Sequence, residues 1–243
     1  MDPLASTRVS LRWPPLPANE DCHVLVLSGR SGFFLDVRVK RDDGSTQVAA
    51  GGVAEPVVGW ATAGWKELLP SEVGEEHPRA RFTAVIDSRS PAFSSSSSKP
   101  PPAEDSPPDE GSFETLPNGD VLERGEMLNS ATGQVQPYEE VWRRLPLVNR
   151  SEEGERVRVL ILEAADQAGK AFIGQVGDRE LGMSDGAAGF GIVWREKRAG
   201  GWEVIRRNKA GEALPSLEGV SQSLRQGDTV DLGGRTWRVV ESS

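Results

Sequence analysis

The chain has a single cysteine, Cys22, so no intrachain disulfide can form, and so low a count favours a reducing compartment. Only two histidines, His23 and His77, are present. Zinc usually takes four ligands from clustered Cys, His or carboxylate side chains. Cys22 and His23 are neighbours that would point to opposite faces of a strand, and His77 stands apart between Glu76 and Pro78, so no metal or other cofactor is expected. Nucleophilic catalysis is equally unsupported, because no Gly-x-Ser-x-Gly elbow occurs and few histidines could act as base. No stretch approaches the roughly 18 apolar residues that a membrane span requires. The first residues, Met1 to Trp13, carry charge and proline where a signal peptide needs an unbroken apolar run. Positive charge is also short: 28 Lys and Arg against 37 Asp and Glu leave a net charge of −9. That balance repels a phosphate backbone or an anionic membrane. Short basic clusters (Arg195, Lys197, Arg198 and Arg206, Arg207, Lys209) read as solvated hairpin charges. A cytosolic chain with no nucleic-acid partner and no membrane span is the expectation.

Helical periodicity is almost absent; Gly64 to Leu69 offers a turn or two at most. Glycine (27) and proline (17) are plentiful and favour many turns. Phe33, Leu35, Val37 and Val39 alternate with Asp36, Arg38 and Lys40, the period of a strand with one wet face. Val24 to Leu27, Gly59 to Ala61 and Arg81 to Asp87 supply further strands. Val121 to Gly125 follows the turn at Pro117 to Asp120, where Asn118 and Gly119 tolerate positive φ, and Tyr138 to Trp142 reads as a strand or a closing helical turn. The pattern then restarts with Arg156 to Leu162, Ala171 to Val176, and a hairpin of Gly189 to Glu196 with Gly201 to Arg207. A last hairpin, Asp228 to Leu232 with Arg235 to Val240, turns at Gly233-Gly234. Pro215 to Leu224 is expected as a short helix capped by Ser216 and ended by Gly227. Strands spaced by about ten residues argue for an all-β sandwich or closed barrel. Two such runs, each with a late tryptophan (Trp142, Trp237), divide the chain into residues 1–147 and 148–243. A Ser- and Pro-rich stretch, about 88–111, is expected as a disordered insert in the first.

Several residues invite chemical readings. Asp120, Glu123, Glu126 and Glu139-Glu140 cluster, and Glu123 facing Glu139 across paired strands would mimic a glycosidase pair; solvated strand faces are the preferred reading. Gly186 to Gly191 resembles a phosphate cradle only superficially, since a strand rather than a helix follows. Trp60, Trp65, Phe190, Trp194, Trp202 and Trp237 either line a ligand cavity or fill a core. A cavity of a few hundred cubic ångströms would decide for the ligand. Ser90 and Ser106, each before a proline, are candidate phosphosites.

Three stretches carry a resemblance to a known family. They are Leu116 to Arg144, with Glu123, Gly125, Tyr138, Glu140 and Trp142 at characteristic spacing; the strand ending at Phe190 to Trp194; and the tail from Leu214 to Ser242. In these the chain resembles the fungal HRI proteins. The resemblance implies two lipocalin-like (calycin-type) antiparallel β-barrel domains in tandem with few short helices, and residence in the cytoplasm and nucleus. It further implies a non-enzymatic protein-interaction role with a casein-kinase-I-type kinase as partner. Carriage of a small apolar ligand in a barrel is the rival reading, and self-association as a homodimer is left open.

Overall fold

A computed structural model describes residues 1–41, 55–70, 76–89, 109–148, 157–165, 169–186, 189–221 and 223–243. Its first eight strands are β1 (Leu4–Arg12), β2 (Cys22–Ser28), β3 (Phe33–Lys40), β4 (Val58–Leu68), β5 (Arg79–Asp87), β6 (Asp109–Thr115), β7 (Val121–Asn129) and β8 (Gln134–Arg144). Seven more follow: β9 (Val159–Ala164), β10 (Ala171–Val176), β11 (Arg179–Gly186), β12 (Gly189–Arg198), β13 (Gly201–Arg207), β14 (Thr229–Leu232) and β15 (Arg235–Ser242). The helical content among the described residues is one 3-10 turn, Lys209–Ala213. No helix there is long and apolar enough to cross a membrane. The described residues are all-β, as the alternation predicts; of the two stretches with ambiguous periodicity, Gly64 to Leu68 lies in β4, with Leu69 just past its end, and Tyr138 to Trp142 lies in β8.

Strands β1 to β8 pair in chain order and close into an antiparallel barrel where β1 meets β8, with Arg8 opposite Trp142 and Leu11 opposite Glu140. The seams differ in length. Among the described residues β7 and β8 pair along the whole of Val121–Asn129, whereas β5 and β6 pair between Arg79–Phe82 and Asp109–Ser112, and β1 and β2 between Leu4–Ser6 and Val26–Ser28. Asp109 to Gly111, assigned from sequence to the disordered insert, begin β6 instead. Glu110 there is held by Arg79 at 2.6 Å and Arg81 at 2.7 Å, which draws the acidic end of the insert into the sheet. Ser90 and Ser106 lie outside the described residues.

The strand β3 has no wet face. Phe33, Leu35, Val37 and Val39 point out of the barrel and pack on Val159, Ile161 and Phe172 of the second sheet, while Asp36 and Arg38 point into the lumen and are also buried. The alternation separates two faces as expected, but the polar side faces the barrel interior rather than solvent. Contact with the second sheet is close: a Cβ built on Gly174 would lie 2.6 Å from a Leu35 methyl. Glu241 of β15 adds a polar clamp by accepting the backbone N–H groups of Arg30 at 2.7 Å and Ser31 at 3.0 Å, in the β2–β3 turn.

Among the described residues the second half is an open seven-stranded sheet, ordered β13-β12-β11-β10-β9-β15-β14, and not the closed barrel expected. Both of its faces are already covered, one by the barrel wall. The other carries Leu160, Ile173, Val193 and Trp237, roofed by Leu214, Leu217 and Val220. Chain that fills the concave side of a sheet removes the need to curl it shut. The roof is also why the described residues of Pro215 to Leu224 are not helical. Buried Glu180 accepts the Leu217 N–H at 2.8 Å, and Arg195 donates to the carbonyls of Leu214 and Pro215 at 2.7 and 3.0 Å. Side chains thus satisfy backbone groups that a helix would otherwise pair. The 3-10 turn falls earlier, capped by Asn208 and not Ser216. Arg195, expected in a solvated cluster, is buried in an ion pair with Glu180. At the β14–β15 hairpin, Gly233 and Gly234 have φ of 58° and 76°, the left-handed pair that a tight two-residue turn demands.

Candidate functional site

The barrel lumen forms a cavity of about 470 Å³ that is partly open to solvent, within the ~300–1,000 Å³ range of small-molecule pockets. Its wall is amphipathic. Phe34, Phe82 and Phe113 supply an apolar surface with Leu4 and Val26, and Phe82 meets Phe34 and Phe113 edge-on at 5.7 and 6.3 Å between ring centres. The inward positions of β3, β7 and β8 supply charge. Register sets this: Glu123 lies opposite Glu140 and Val121 opposite Trp142, so the even-numbered residues of β8 share a face with the odd-numbered ones of β7.

A buried ion-pair network joins three walls. Arg38 donates to Asp36 at 2.8 and 2.9 Å and to Glu140 at 2.8 Å; Arg8 also binds Glu140 and donates to Glu20 at 2.6 Å. The Arg38 guanidinium lies between the rings of Trp60 and Trp142, 4.5 and 5.5 Å from their centres. Burial works against its charge, yet Asp36 and Glu140 together raise its pKa. Asp36 is itself buried deeply enough to have its pKa raised, against the pull of Arg38, and its Oδ1 has no hydrogen-bond partner among the described residues.

Glu123 forms a second polar knot. It accepts the Tyr138 hydroxyl and the Trp142 indole N–H, both at 2.8 Å. Burial, reinforced by Glu140, lifts its pKa from an ordinary 4.5 to about 7. Asp109, facing the cavity, is lifted from 3.8 to about 6, again by burial first and then by Glu140. Gly125, opposite Tyr138, makes the knot possible: a Cβ there would lie 2.9 Å from the Tyr138 hydroxyl and 2.6 Å from the Glu110 carbonyl.

Lys66 enters the cavity from β4, half-buried. Its ammonium sits 4.2 Å from the centre of the Phe113 ring and 5.3 Å from that of Phe82. Arg144 lines the same cavity, and among the described residues neither cation has a carboxylate within ion-pair distance.

Of the six aromatics singled out from sequence, Trp60 alone lines this cavity, its indole donating to Asp87 at 2.8 Å. Trp65 is 41% exposed outside the barrel, edge-on to Phe33. Trp194 and Phe190 pack in the core shared with the barrel, Trp237 is fully buried under the roof, and Trp202 is half-buried on edge strand β13. Trp65 alternates with lumen-facing Lys66 on β4 and so points outward, and the other four lie in a second half that has no lumen among the described residues. The phenylalanines of the wall are not singled out by the sequence, although Phe34 and Phe82 lie on strands expected from it. By contrast Glu123, Tyr138, Glu140 and Trp142, chosen only for their spacing, converge in the lumen.

The carboxylate pairing is corrected by register. Glu139 faces outward to Arg12 at 3.0 Å and to Arg124, while Glu140 faces Glu123. Neither Glu123 nor Glu140 is solvated, at 7% and 2% exposure.

A compact set of possible metal ligands, Glu20, Asp21 and Cys22, lies at one end of β2. Its carboxylates are engaged by Arg8 and Lys40. Burial, helped by Asp21, pushes the Cys22 thiol up to about 11, so it is protonated at neutral pH and a poor ligand. His23 is exposed on the other face of the strand. Gly189 to Gly191 belong to β12, with no helix after them.

A family model described as Protein HRI1 matches residues 4–241. No curated protein sequence matches the chain. The crystal structure of an uncharacterized protein from Saccharomyces cerevisiae is similar over 100% of both chains, with 17% sequence identity and a TM-score of 0.74. At that identity the likeness carries the fold alone.

Proposed function

This chain belongs to the Protein HRI1 family, and we propose that it binds and carries a small, largely apolar molecule inside its closed barrel. The carrying observation is the cavity of about 470 Å³ with an aromatic wall on one side and fixed polar groups on the other. Its two-sided wall suits an amphipathic guest. The ion pairs of Arg8, Arg38, Asp36 and Glu140 lock the polar wall in place, which lowers the ordering cost of binding. Partnership with a casein-kinase-I-type kinase rests on kinship, and nothing in the barrel interior bears on it.

Thermal-shift measurement against fatty acids, sterols and haem tests the proposal. A ligand that binds only the folded state raises the melting temperature by mass action. The expected result is a saturable rise with at least one of these, abolished in Ala84→Trp, which places an indole in the cavity. No rise with any of them, or a rise untouched by Ala84→Trp, would overturn it.

A further inference from the structure

Building on that ligand-binding reading, we propose that the guest is a monocarboxylic acid with an apolar body, its carboxylate seated on Lys66. The cations of the lumen are not equivalent. Arg8 and Arg38 are saturated by Glu20, Glu140 and Asp36. Lys66 is held instead by the faces of Phe82 and Phe113, an arrangement that stabilises a cation without neutralising it. Glu123 acts on Lys66 through space without reaching ion-pair distance, each of its oxygens accepting one hydrogen bond, from Tyr138 or from Trp142. Burial depresses the Lys66 pKa, Glu123 offsets this in part, and Arg144 adds a like charge. An incoming anion relieves both the desolvation and the repulsion.

One negative charge matches the site better than two. Glu123, Glu140, Asp36 and Asp109 all line the same cavity, so a phosphate dianion would meet more repulsion than Lys66 and Arg144 offset. The wall beside Lys66 sets the rest of the guest: Phe34, Phe82, Phe113, Leu4 and Val26 offer no hydrogen-bonding side chains, and an acyl chain or an aromatic body satisfies them.

Isothermal titration calorimetry of the full chain at pH 7.5 with decanoate and with decanol, which differ in the headgroup, separates this proposal from the one beneath it. Decanoate is expected to bind about tenfold more tightly than decanol, the worth of one charge-assisted contact. Lys66→Met should bring decanoate to within about twofold of decanol, and Lys66→Arg should retain most of the preference. Decanol binding also reports that the Lys66→Met barrel is folded. Equal affinity for the two in wild type, or a decanoate preference that survives Lys66→Met, would overturn the headgroup assignment while leaving the cavity reading intact. Binding of neither would overturn both.

Discussion

Glu123 is a carboxylate whose neighbours accept it in either protonation state. With the proton on, it can donate to the Tyr138 oxygen while still accepting the Trp142 N–H, because a tyrosine hydroxyl reverses its role freely. Its raised pKa makes it a stability element of definite sign. Between its unfolded value near 4.5 and its folded value of about 7, the folded state holds more protons than the unfolded one. Stability therefore falls as pH rises through that window, by at most about 1.4 kcal/mol per pH unit for one group. Asp109 acts in the same sense between 3.8 and about 6. Glu123→Gln, whose amide can donate to Tyr138 and accept from Trp142, is expected to flatten the decline between pH 5 and 7 and leave the smaller Asp109 contribution. Urea-unfolding midpoints across that range measure it; an unchanged slope would show that Glu123 does not titrate there. The spacing of Glu123, Gly125, Tyr138, Glu140 and Trp142 was legible in the sequence. Their inward direction was not, since a polar residue alternating with apolar ones looks the same facing solvent or facing a lumen.

At the scale of elements, period-two alternation identified most strands, and the glycine pairs and Asn118-Gly119 identified the turns. Elements held by side chain to backbone bonding escaped. The roof over the second sheet has composition compatible with a helix, but its conformation is dictated by Glu180 and Arg195 from strands β11 and β12, which no local window contains. Glu180 is fully buried. Removing its cation with Arg195→Met strands that charge and frees the Leu214 and Pro215 carbonyls; the expected loss is roughly 3–5 kcal/mol. The double variant Glu180→Leu/Arg195→Met should recover part of it. Chemical denaturation of the three proteins separates the stranded charge from the lost backbone bonds.

For the molecule as a whole, the two runs of strands were visible in the sequence but their union was not. Phe33, Leu35, Val37 and Val39 are as apolar as a barrel lining would be, and only the second sheet pressed onto them, close enough for Gly174 to meet Leu35, reveals that they are the outside. The two halves therefore share one core, and that core braces the barrel unevenly. Its β2–β3 wall is clamped from behind by the second sheet and by Glu241, while no described residue of β6, β7 or β8 enters that core. Deuterium uptake measured peptide by peptide should consequently be slowest in β3, the strand buried on both faces. Anything held against Asp36 and Arg38 therefore rests on a wall whose reverse is the protein's main core, so a strain applied from inside the lumen is felt by both halves at once.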